Sequence, residues 1–113
     1  MQRTADQRIP IVMGDVPHPD DAALVEDGQN MPKTRYAMRF ALAGNKPGHI
    51  AGCACCTPRG PAADALGAMF QARARGDAPF FKRVVILASP QGEAAIRAAL
   101  TDDVVTRARY RLD

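Results

Sequence analysis

The sequence predicts a small α/β domain, in three layers, with a mostly parallel sheet of about four strands flanked by helices. Short apolar runs of strand length alternate with longer segments of helical period, the pattern of a layered α/β unit. The run Arg83-Val84-Val85-Ile86-Leu87-Ala88 is continuously apolar after its first residue, as in a strand covered on both faces. Glycine, proline and aspartate mark the junctions between these runs.

In order along the chain, Ile9-Pro10-Ile11-Val12-Met13 reads as a first buried strand stopped by Gly14-Asp15. A stiff loop, Val16-Pro17-His18-Pro19, follows. Asp20 and Asp21 are placed to cap a short helix from Asp21 to about Asp27, closed by Gly28. From Arg35 to Leu42 the pattern has period two, with Tyr36, Met38, Phe40 and Leu42 on one side, which predicts a strand. Residues 43–48 are a turn by composition, and His49-Ile50-Ala51 is a candidate short strand.

Pro61 suits a first helical position, and the helix it opens runs to about Arg75, with Gly76 past its end. After the 83–88 strand, Ser89 is placed as a helix cap, and Glu93 to Leu100 is helical. Thr101-Asp102-Asp103 caps a further short helix through about Arg107, and Tyr110-Arg111-Leu112 begins a strand. The 113 residues form one domain, without internal repeat or second unit.

Composition narrows the function classes. The chain is 47% hydrophobic, so it is globular, but much of that share is alanine, which buries little area. With no Trp, four Phe and two Tyr, the core rests on Val, Ile, Leu and Met, a thin core that invites support from a metal or a second chain. The net charge of +3 comes from scattered arginines rather than a basic run with interleaved aromatics. That argues for solvated helix faces and against a nucleic-acid surface. No stretch has the apolar length of a signal peptide core or a membrane span, so no membrane partner is expected. Three cysteines within four positions do not make a disulfide framework and point to a reducing cytoplasm.

Those cysteines, in Gly52-Cys53-Ala54-Cys55-Cys56, are the main chemical signal. Thiolates suit zinc and similar soft metals. Cys53 and Cys55, two apart on a turn, can chelate one ion, whereas the adjacent Cys55 and Cys56 need an awkward backbone to do so. A tetrahedral site then wants another ligand. His49 is nearest in sequence, His18 is a second candidate, and a second chain is a third. The same cysteines also fit small apolar residues at a strand-to-helix turn. A redox thiol near the Pro61 helix start ranks last, because no CxxC is present and vicinal disulfides are strained. Ser89 lacks a His or Asp pattern that would make it a nucleophile.

The motif and its surroundings resemble the nucleotide-binding domain of the CobW family of metal-handling GTPases. The family carries GCxCC between a strand and a helix. Here the motif is followed by Arg59-Gly60, a helix through Leu66, Arg73-Ala74-Arg75-Gly76, the aromatic Phe81 and the strand Arg83-Val84-Val85-Ile86. Asp102 to Val105 and Arg109-Tyr110-Arg111-Leu112-Asp113 complete the match over residues 48–113. The resemblance implies a P-loop-like fold from which the nucleotide machinery has been lost. Where the family has GxxGxGKT, this chain reads Gly14-Asp15-Val16-Pro17-His18-Pro19-Asp20-Asp21. Asp20 falls on the lysine and Asp21 on the threonine, so carboxylates would face a triphosphate. The family's acidic residue after the 83–88 strand is replaced by Leu87-Ala88-Ser89-Pro90, which leaves no carboxylate expected there. Asn45-Lys46-Pro47-Gly48 is a misplaced fragment of the guanine-reading motif.

The reading that follows is a non-catalytic, CobW-like protein with a degenerate P-loop, without nucleotide and without GTPase activity. It binds a metal ion, zinc by ligand chemistry, through Cys53, Cys55, Cys56 and His49, and serves metal handling or partner regulation. The alternative is a protein-interaction module whose cysteines are structural. A homodimer is expected to cover the sheet edge left after Asp113, and a protein partner in metal homeostasis is a further expected contact.

Overall fold

The computed structural model describes residues 7–42 and 60–113. Five strands and three helices run in the order β1 (Ile9–Met13), β2 (Ala22–Glu26), β3 (Tyr36–Phe40), α1 (Pro61–Arg75), β4 (Val84–Leu87), α2 (Pro90–Asp102), α3 (Val104–Arg109) and β5 (Tyr110–Leu112). The strands form one sheet in the order β3-β2-β4-β1-β5, and every pairing is parallel. The α/β class is therefore as the sequence predicts, with one strand more than expected.

That extra strand is β2, where a helix was expected from Asp21 to Asp27. Residues Ala22 to Val25 are fully buried between β3 and β4. A short continuous apolar run fits either a central strand or a buried helix, and pairing on both edges decides for the strand. Asp20 and Asp21 consequently cap nothing. Gly28 does end the element, in a turn at φ 97°, with Gln29 donating its N–H to the Glu26 carbonyl.

The return from β1 to β2 contains no helix, although parallel strands are usually joined by one. The register explains how this is possible. Met13 and Leu24 both pair with Ile86, so β2 begins only two residues behind the level at which β1 ends. The chain retraces about 7 Å along the strands and crosses about 10 Å over β4, which residues 14–21 span easily. Arg83, just before β4, holds this return at both ends. Its Nη2 and Nε donate to Asp21 Oδ2 at 2.6 and 3.1 Å, and its Nη1 donates to Asp15 Oδ2 at 3.4 Å. Asp21 Oδ2 also accepts from the His18 N–H at 2.8 Å.

One face of the sheet carries the main core. Ile9, Ile11, Ala22, Leu24, Phe40, Val84, Ile86 and Tyr110 join Leu66 and Met69 of α1 and Ile96 of α2 in one buried cluster. Tyr36 and Met38 pack against it, as the period-two pattern of β3 predicts. The crossovers from β3 to β4 and from β4 to β5 advance in the same direction, so right-handed connections put α1, α2 and α3 together. On the opposite face Ala23, Val25 and Val85 are also out of solvent, so the central strands are covered on both sides.

Local signals set the helix limits. Pro61 opens α1, and Gly76 closes it at φ 81°, a conformation that favours glycine. Ser89 caps α2 by accepting from the Gly92 N–H, and Asp103 caps α3 by accepting from the Thr106 N–H and hydroxyl. Rings anchor the remaining joints. Tyr36 stacks on Phe81 at 6.0 Å, and Phe70 meets Tyr110 edge-on at 6.3 Å. The Tyr110 hydroxyl donates to the Leu66 carbonyl at 2.7 Å, and burial raises its pKa well above the ordinary value. Among the described residues no helix is long and apolar enough to cross a membrane.

The Arg83 clasp makes stability depend on acid. Burial alone would raise the Asp21 pKa, but the Arg83 guanidinium and the His18 N–H together hold it below the ordinary 3.8. A depressed carboxylate stabilises the fold above its unfolded-state pKa, and that contribution is lost as pH falls through the folded value. Asp21→Asn is expected to lower unfolding free energy at pH 7 by about 1.5–3 kcal/mol, the range for hydrogen bonds to charged groups. In denaturant titrations the difference between the two proteins should shrink as pH falls below 3.8 and through the lowered folded value; a difference that does not shrink in acid would show that the charge is not the cause.

Candidate functional site

In an open parallel sheet, ligands bind beyond the carboxyl ends of the strands where the direction of chain advance reverses. Here β1 leads toward the β3 edge and β4 leads toward the β5 edge, so the reversal falls between β1 and β4. The groups at that crevice are Gly14 after β1, Ser89, Gly92 and Glu93 after β4, and Glu26 at the end of β2.

Gly14 makes the turn out of β1 at φ 68°, and its N–H donates to the Ile86 carbonyl at 2.9 Å. The N-terminus of α2 is the natural place for an anion, since its first N–H groups and its dipole favour negative charge. The protein's own Glu26 takes that place. Glu26 is a buried residue, and its Oε1 accepts from the Ser89 N–H at 2.8 Å and the Ser89 hydroxyl at 2.7 Å. The hydroxyl in turn accepts from the Gly92 N–H at 3.1 Å. A Cβ on Gly92 would stand 2.5 Å from Glu26 Oε1 and 2.7 Å from the Ala88 Cβ. The absence of a side chain at residue 92 is what lets the carboxylate approach.

This corrects the expectation that no carboxylate stands at the end of the 84–87 strand. One does, and it arrives from the neighbouring strand. Residues 20 and 21 also behave differently from the sequence comparison with a phosphate loop. They lie at the opposite, amino-terminal end of the sheet, where Asp21 pairs with Arg83 and Asp20 with Arg35 at 3.4 Å. No helix follows β1 among the described residues, so the helix start that would hold a phosphate after the first strand is not built there.

Cys53, Cys55, Cys56 and His49, the candidate metal ligands, lie outside the described residues, as do the possible strand at 49–51 and the 43–48 turn. His18 is exposed on the β1–β2 return, with its backbone tied to Asp21. Among the described residues no three His, Cys, Asp or Glu side chains gather as a metal site. Ser89 is a helix cap, as the sequence indicated, and Asp102-Asp103 likewise belong to a helix junction.

Sequence reasoning passed over Glu26, Gly92 and Arg83. The only available signal for Glu26 was a single acid closing an apolar run, and it becomes meaningful once the run is a strand. The crevice predicts a sharp pair of effects. Gly92→Ala is expected to destabilise by about 1–3 kcal/mol through overpacking. Glu26→Ala should cost a similar 1–3 kcal/mol by leaving the Ser89 N–H without its acceptor. Combining them should cost less than the sum, because Glu26→Ala removes the oxygen that the new methyl would strike. Additive losses in urea unfolding would argue against the contact.

Searches against protein-family models, curated proteins and solved structures find no match to this chain.

Proposed function

We propose that this chain is a non-catalytic, CobW-like domain that binds a zinc-class ion through Cys53 and Cys55, with Cys56 and His49 completing the donor set. The observation that carries the reading is the segment Gly52-Cys53-Ala54-Cys55-Cys56 itself. Three thiols and one imidazole are four soft or borderline donors, the number and type that a closed zinc site uses. A zinc ion bound this way would be held as structure or cargo and would take no part in hydrolysis.

The absence of catalysis draws support from the crevice. The anion position at the start of α2 is filled by Glu26, and an incoming phosphate would meet both its bulk and its charge. The biological use that fits is metal sensing, storage or delivery, or regulation of a partner. The second reading, an interaction module with structural cysteines, draws support from β5, a sheet edge on whose outer side no strand pairs among the described residues.

Metal analysis separates the two. Protein purified without chelators is expected to carry about one zinc per chain, or about half that if two chains share an ion. Cys53→Ser and Cys55→Ser should each reduce the content several-fold. Less than about one-tenth of an equivalent, with no response to added zinc, would sink the metal reading and leave the second.

A further inference from the structure

No further inference is drawn: the strongest candidate, the cleft of about 310 Å³ between the start of α1 and the α2–α3 junction, lined by alanines of α1 and α2 together with Asp102 and Asp103, carries nothing because it offers only a surface of small residues and nothing in the structure shows what covers it.

Discussion

The short return from β1 to β2 is the constraint on which the rest of the architecture depends. A parallel crossover without a helix is possible only because β2 starts almost level with the end of β1. That level is held by one guanidinium bonded to Asp15 and Asp21 at the two ends of the connection. Fixing β2 there places a fully buried apolar strand beside β4 and leaves β3 to form the far edge. The helices then come from the later crossovers, which pack Leu66, Met69 and Ile96 onto a single core.

The same placement determines the chemistry of the crevice. Because β2 is a strand, its final residue emerges at the carboxyl end of the sheet beside the turn from β4 into α2. Glu26 thereby becomes the partner of the Ser89 cap. A helix start that could hold an external anion holds an internal one instead. The carboxylate satisfies partly buried donors of Ser89, and Gly92 supplies the room. The contact that completes this helix start also fills its anion position, and the proposed function therefore turns on the cysteines rather than on this crevice.

Charge is distributed unevenly over the fold. Asp15, Asp20 and Asp21 gather on the β1–β2 return, and each has an arginine opposite it. Near β5, Arg8, Arg97 and Arg111 line a cleft with Leu100 and Leu112, and Arg111 pairs with Asp113 at 3.0 Å. Two arginines elsewhere are used for packing. Arg73 lies 3.7 Å from the Phe80 ring centroid, and Arg109 lies 4.3 Å from that of Phe70, so their planes cover aromatic surface in a protein with few aromatics. A modest net charge of +3 therefore conceals a locally basic cleft.

Much of the fold was legible from local chemistry. Pro61 and Gly76 bracketed α1, Ser89 and Asp103 marked two caps, and alternation along 36–42 oriented β3. Such signals act within a few residues, and the sequence by itself determined them. It also supplied the GCxCC motif, on which the metal proposal still rests. The identity of β2 was decided only by tertiary structure. An alanine-rich apolar run of four residues, Ala22 to Val25, satisfies a buried helix and a buried strand alike, and only neighbours on both edges choose between them. Glu26 and Arg83 follow the same rule, because their partners lie 63 and 62 residues away in sequence. Periodicity and capping report on near neighbours, whereas a carboxylate at a helix start and a clasp across a loop exist only once distant strands have paired.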